Sequence, residues 1–305
     1  MKILIAGDTG LLGQAMVRRL APDHDVAGFS TSPAPGRGYA RHTINALLEP
    51  DRVRGMVRIF SPDLLINCTG IVDLKACEEG KNSSREINAE LPGFFSQLSL
   101  AQKSRFIHIS TDQVFDGKSK TPYSESSPVN PVNQYGRSKL AGEQAALKDN
   151  PDALVLRTNI VGWRWKPGAP TFAEWLCTSL AAGKDISLAE DFVTSSVHVD
   201  YFSGMVLDFF KSGARGIYHA ASRDGVSKYE FGRLIAAAAG FDFSRVSKVK
   251  LDELELNPAR PPYLALNVQH AEKLLGHKFP ACRDTAKLLA EQFSNEEKEA
   301  HENKK

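Results

Sequence analysis

The opening MKILIAGDTGLLGQ constrains this chain more than any other stretch. An apolar run from Lys2 to Ala6 stops at Gly7, and Gly10 and Gly13 follow before apolar residues recur at helical spacing, at Leu12, Ala15, Met16 and Leu20. A strand that turns directly into a helix leaves little room for side chains at the turn, and glycine supplies that room. The G-x-x-G-x-x-G spacing therefore predicts a tight turn whose backbone amides, at the positive end of the helix, cradle a pyrophosphate. Thr9, Leu11 and Leu12 belong to the same loop. A glycine triplet alone is a weak signal, but between a strand and a helix at the head of an alternating chain it is a strong one.

That alternation continues to about residue 158. HDVAGFS, PDLLINCTG, SRFIHIS and DALVLRTN read as strands, separated by the helical patterns of RVRGMVRIF and INAELPGFFSQLSLAQ. Strands separated by helices imply right-handed crossovers and a parallel sheet covered on both faces. The expected fold is α/β, a Rossmann-type doubly wound parallel sheet with a smaller C-terminal lobe. Residues 1–160 form the dinucleotide-binding domain on this reading, and 161–293 form mainly the lobe, with some returns to the sheet. The tail 294–305, SNEEKEAHENKK, is charged and is expected to lie unstructured in solvent.

The end of the second strand bears on the cofactor. An NAD-preferring chain places Asp or Glu there, against the ribose 2′-hydroxyl. This chain has GFSTS, so Ser30 and Thr31, with Arg37 and Arg41 downstream, are candidate donors to a 2′-phosphate. NADPH is the expected cofactor, with NADH as the alternative. An equally simple reading makes SPAPGRG a plain loop and gives Arg37 and Arg41 no ligand.

Thr111, in HISTDQVFDG, stands at the carboxyl edge of the fourth expected strand, where open α/β sheets bind ligands. Beyond a loop rich in Pro, Ser and Asn comes QYGRSKLAGE, with Tyr135 and Lys139 four residues apart on one helix face. Tyr-x-x-x-Lys is common by chance. Its position after a nucleotide cradle and an edge hydroxyl makes one site of the three. A nearby ammonium favours a phenolate, so Lys139 is expected to lower the pKa of Tyr135, which donates a proton while Thr111 hydrogen-bonds a substrate carbonyl.

These motifs resemble the extended short-chain dehydrogenases/reductases, and among them the dTDP-4-dehydrorhamnose reductase family. The resemblance is carried by GDTGLLGQ, PDLLINCTG, VDLKACEE, INAELP, ISTDQVFDG, YGRSKLAGE, LRTNIVG, GIYHAA and ARPPYLALN, and covers nearly the whole chain. It implies that Thr111, Tyr135 and Lys139 are the catalytic trio and that Cys68, Thr69 and Gly70 line the cofactor. It also implies a small-molecule nucleotide-sugar substrate, with Asp112, Gln113, Ile160 and Arg260 on its side of the site. Gln113 stands where the family has an aromatic residue, and RTNIVGW replaces RTSWVY. The loop GWRWKPGAP offers Trp163, Arg164, Trp165 and Lys166 either to a nucleotide or to the packing of the lobe. The same trio also serves nucleotide-sugar epimerases and dehydratases that recycle NAD, and the regulatory β subunit of methionine adenosyltransferase resembles this family.

Composition removes other classes. The 305 residues carry 38 Lys+Arg against 36 Asp+Glu, a net charge of +2, without a basic block for nucleic acid or an anionic membrane. No apolar stretch approaches the roughly 20 residues of a membrane span, and the short first apolar run is unlike a signal peptide. A cytoplasmic protein is expected. Cys68, Cys77, Cys177 and Cys282 lack metal or disulfide spacing, and His108, His198 and His219 lack paired ligands, so no catalytic metal is expected. Oligomeric state is not legible, and a homo-oligomer stays open.

Overall fold

In a computed structural model of the chain, the described residues are 1–33, 38–81, 83–164 and 170–302, with the backbone alone beyond 295. The first half runs β1 (Lys2–Ala6), α1 (Leu11–Leu20), β2 (Asp25–Ser30), β3 (Ala40–Thr43), α2 (Pro50–Phe60), β4 (Leu64–Asn67), α3 (Leu74–Glu78), a π-helical turn (Glu86–Glu90) leading into α4 (Leu91–Ala101), β5 (Arg105–Ile109), α5 (Gln134–Lys148) and β6 (Leu154–Arg157). The second half adds β7 (Ile160–Val161), α6 (Phe172–Ala181), β8 (Ile186–Ala189), β9 (Val193–Thr194), β10 (Val197–His198), α7 (Val199–Ser212), β11 (Gly216–His219), β12 (Val226–Ser227), α8 (Lys228–Ala239), β13 (Val246–Val249), β14 (Tyr263–Leu264), α9 (Gln269–Leu275) and α10 (Cys282–Glu302).

The main sheet has seven strands in the order β11-β6-β5-β4-β1-β2-β3, and every adjacent pair is parallel. The chain leaves β1 toward β2 and β3, then re-enters on the other side of β1 at β4. The crevice at the carboxyl ends of β1 and β4 is thus a topological switch point, where sheets of this kind bind ligands. Alternation along the strands divides the core by face. Ile3 and Ile5 of β1 join Met16, Ile66, Ile107, Leu156, Phe202 and Phe209 on one face. Leu4 and Ala6 join Phe29, Val53, Leu65, Phe95, Phe106 and Val155 on the other.

A separate core lies in the C-terminal half. There Leu176, Cys177, Leu180, Phe231, Ile235, Leu289 and Phe293 pack α6, α8 and α10 together. Short sheets, β10-β7, β12-β9-β14 and β13-β8, link this lobe to the site. Its helices start as their sequences direct. Thr171 and Glu174 form a reciprocal capping box on α6, and the Ser227 side chain accepts the Glu230 amide at α8.

The structure adds to that reading at three places. Strand β3 was not expected, because ARHT lies on the exposed edge of the sheet and shows no apolar alternation. The stretch VTSSVHV holds two short strands, β9 and β10, paired to different partners. Helix α10 runs past Phe293 to Glu302, over Glu, Lys and Ala that favour helix intrinsically. No helix among the described residues is long and apolar enough to cross a membrane.

Candidate active site

The glycine turn is as tight as its spacing predicts. Gly7 has φ +83°, in the left-handed region, and a Cβ on it would lie 2.9 Å from the Cys68–Thr69 backbone. A Cβ on Gly13 would lie 2.1 Å from the Gly7 carbonyl oxygen. The loops after β1 and β4, which hold Gly7, Thr9, Gly10, Leu11, Leu12 and Gly13 on one side and Cys68, Thr69 and Gly70 on the other, therefore touch through their backbones. Helix α1 starts at Gly10 with no side-chain cap and no acidic residue in its first turn. Its first amides and dipole are left to an anion, and the cradle fits a dinucleotide pyrophosphate. Asn67 closes the second loop, its Oδ1 accepting from Thr69 N at 3.0 Å and Thr69 Oγ1 at 2.6 Å. Gly13→Ala is expected to weaken NADPH binding about tenfold or more by forcing this turn open. A fluorescence titration against wild type reads the effect, and equal affinities would refute the packing argument.

At the end of β2, sequence reasoning missed a carboxylate. Asp8, fully buried, is carried from the glycine loop onto Gly28, where a Cβ would come within 2.7 Å of the Asp8 Cβ. Its Oδ2 accepts the Tyr39 hydroxyl at 2.8 Å and stands 3.0 Å from Arg41 Nε. Arg41 Nη2 donates to Ser30 Oγ at 2.9 Å, and Ser30 Oγ shares a 3.0 Å hydrogen bond with Thr9 Oγ1. Burial, followed by the bond to Asp8, raises the Tyr39 pKa. The cluster brings Thr9, Ser30 and Arg41 together, with Thr31 exposed beside them. Arg37 lies outside the described residues.

Helix α5 places the tyrosine and lysine. Asn133 caps it, accepting Gly136 N at 2.8 Å, and its Nδ2 donates to Gln113 Oε1 at 3.0 Å. A Cβ on Gly136 would stand 2.2 Å from the Gln113 carbonyl oxygen, so the helix start presses on the turn that follows β5. Tyr135, Lys139 and Glu143 then fall on one buried face. The Thr111 side chain stands beside the Tyr135 hydroxyl. The expected effect of lysine on tyrosine is not present: burial raises the Tyr135 pKa, with Thr111 lowering it and Asp112 and Cys77 raising it. The reason is geometric. Lys139 Nζ donates to the Ile109 carbonyl at 2.6 Å; burial lowers its pKa to about 8, against the raising effect of Glu143 and Cys68.

Behind Lys139 lies a pair that sequence reasoning also missed. Glu143 receives Arg157 Nε at 2.9 Å and Nη2 at 2.7 Å, and the Ser110 hydroxyl as well. Both members are buried, and the Arg157 guanidinium lies over the Phe115 ring.

The expected substrate residues divide. Asp112 is buried, accepting Asn159 Nδ2 at 2.7 Å and Thr111 Oγ1 at 3.1 Å. Gln113 is engaged with the cap of α5. Ile160 lies in β7, partly buried against the main core. Arg260 is half-buried near Asp73 and donates to the Pro258 carbonyl. Trp163 takes the packing role, buried 5.5 Å from the Phe293 ring, whereas Arg164 is exposed; Trp165 and Lys166 lie outside the described residues. Asn88 fastens the Ile71 backbone through both ends of its amide and donates to Ser138 Oγ at 3.0 Å. His108, His198 and His219 are buried with protein partners. Among the described residues no group of three or more His, Cys, Asp or Glu is placed to hold a metal.

Residues 1–295 match the family model described as RmlD substrate binding domain. A probable low-salt glycan biosynthesis reductase of Haloferax volcanii, Agl14, is 32% identical over 298 residues, covering 97% of this chain and 99% of that one. A dTDP-4-dehydrorhamnose reductase of Mycolicibacterium smegmatis is 31% identical, covering 88% of this chain and 79% of its own. The fold matches the crystal structure of the Bacillus anthracis dTDP-4-dehydrorhamnose reductase in complex with NADP at TM-score 0.83 and 23% identity, covering 94% of this chain and 98% of that one. With its glycine cradle at the switch point and Thr111, Tyr135 and Lys139 at the adjoining sheet edge, this chain belongs to the RmlD substrate-binding-domain family of extended short-chain dehydrogenases/reductases.

Proposed function

We propose that the protein reduces the 4-keto group of a nucleotide-activated deoxysugar with NADPH, in the manner of a dTDP-4-dehydrorhamnose reductase. The observation that carries this reading is the buried Tyr135 hydroxyl beside the Thr111 side chain at the sheet edge next to the cradle. NADPH, when bound, supplies the hydride. The glycine loop and the first amides of α1 hold the pyrophosphate, and Lys139, anchored on the Ile109 carbonyl, stands beneath the site. Burial keeps Tyr135 protonated at neutral pH, and it gives that proton to the carbonyl oxygen as negative charge develops there. Thr111 donates a hydrogen bond to the same oxygen. The relatives named as reductases of dTDP-sugars support the choice of substrate class.

Arg41 is read as the residue that favours NADPH over NADH, since its guanidinium meets Ser30 at the end of β2. Arg41→Ala is expected to lower the ratio of NADPH to NADH efficiency by about tenfold or more, the value of a charge-assisted hydrogen bond. An unchanged ratio would make Arg41 only the partner of Asp8. The function itself is tested by NADPH oxidation with enzymatically generated dTDP-4-keto-6-deoxy-L-mannose. Turnover supports the reading. Tightly retained NAD without net turnover would instead indicate an epimerase.

A further inference from the structure

A chain of hydrogen bonds joins the C-terminal lobe to Thr111. Lys228 Nζ, at the start of α8, donates to Thr194 Oγ1 at 2.9 Å and to Ser196 Oγ at 3.3 Å. Ser196 Oγ donates to Asn159 Oδ1 at 2.9 Å, and Asn159 Nδ2 donates to Asp112 Oδ2 at 2.7 Å. Asp112 Oδ1 stands 3.1 Å from Thr111 Oγ1. Thr111, Asp112, Thr194 and Ser196 are buried. The Lys228 ammonium sits over the rings of Phe172, Phe192 and Phe231, at 4.9, 5.4 and 6.0 Å, and among the described residues no carboxylate reaches ion-pair distance of it.

The placement of the Asn159 amide, Oδ1 toward Ser196 and Nδ2 toward Asp112, sets the direction of these bonds. An ammonium only donates, and an amide has one donating and one accepting end. Donation therefore runs from Lys228 through Ser196 and Asn159 to Asp112 Oδ2. A proton on the Asp112 carboxyl has one place left, Oδ1, facing Thr111. Thr111 has a single hydroxyl proton, and its Oγ1 already accepts Gln113 N at 3.2 Å. With Asp112 ionised, that proton goes to Oδ1. With Asp112 protonated, Oδ1–H donates to Thr111, and the threonine proton is released toward Tyr135 and the ketone oxygen.

We propose that Asn159, Ser196 and Lys228 are positioning residues that set, through Asp112, the direction in which Thr111 donates, turning it to the substrate when Asp112 carries a proton. This rests on the reductase reading above. The groups facing Asp112 are Thr111 from its own turn, Tyr135 from α5, Asn159 after β6 and Lys228 from α8; Cys282 of α10 faces Lys228 in turn. Burial raises the Asp112 pKa to about 6, against the lowering effect of Asn159, Lys228 and Thr111.

Two titrations on the full chain test the proposal. The first follows the carbon-13 signal of the Asp112 carboxyl, assigned with Asp112→Asn, in the unliganded protein. The second follows kcat/KM for the ketosugar at saturating NADPH. Wild type is expected to titrate near pH 6, with kcat/KM falling above that point by about 100-fold between plateaus, the value of one oxyanion donor. Lys228→Met and Lys228→Gln remove the nearby cation and are expected to move both midpoints up by about one pH unit, with Lys228→Arg restoring them. Asp112→Asn presents its carbonyl to Asn159 and its amide to Thr111, so the step in kcat/KM should vanish. A wild-type midpoint in both Lys228 variants, or a surviving step in Asp112→Asn, overturns the proposal. A carboxyl midpoint that moves in a protein without turnover supports the link from Lys228 to Asp112 and overturns the reductase reading instead.

Discussion

Replacing Tyr135 by phenylalanine is expected to lower kcat by about 10²- to 10⁴-fold, the range over which a positioned proton donor contributes, with NADPH affinity nearly unchanged. The ring is buried and stays in place, so the substitution removes one hydroxyl and little packing. That hydroxyl is the acid of the proposed mechanism, and the neighbouring Thr111 cannot replace it: Thr111 donates its only proton to Asp112 or to the substrate. Steady-state turnover with the ketosugar and a fluorescence titration of NADPH read the two quantities separately. A variant retaining more than about a tenth of wild-type kcat would remove Tyr135 from the role of proton donor. Loss of both turnover and NADPH binding would point to a damaged cradle.

The second large effect is on stability. Glu143→Ala should cost about 3–5 kcal/mol, because it leaves the Arg157 guanidinium buried without its bidentate partner. The expected signature in urea is a lower midpoint at constant slope. Glu143→Leu combined with Arg157→Leu should recover most of the loss, since an apolar pair carries no stranded charge. A loss under about 1 kcal/mol for Glu143→Ala would mean that water reaches Arg157 and that the pair does not pin α5 to the sheet.

The sequence carried the parts of this site that are local. Gly7, Gly10 and Gly13 could be read because a strand, a turn and a helix are contiguous, and their steric demand is set within a few residues. Tyr135 and Lys139 could be read for the same reason. Their electrostatic relation could not, because the Ile109 carbonyl that receives Lys139 is thirty positions away. Asp8 and Arg41 meet only once β1, β2 and β3 lie side by side, and Arg41 belongs to the strand whose exposed edge hid it. Lys228 stands at the start of α8, and its link to Asp112 requires two further side chains from different segments. Asn133, directly before a helical pattern, is a capping residue that the sequence reading passed over.

The position of β11 bears on how this protein is made. A nascent chain that has emerged as far as residue 160 holds six strands of the sheet, but Leu154–Arg157 then forms a bare parallel edge, and Phe202 and Phe209 are missing from one face of the core. Both come only with residues 199–219. Ribosome-bound intermediates therefore expose a sticky margin through some sixty further residues of synthesis, and a gene cut at the apparent end of the alternating pattern should yield aggregates in place of a nucleotide-binding fragment.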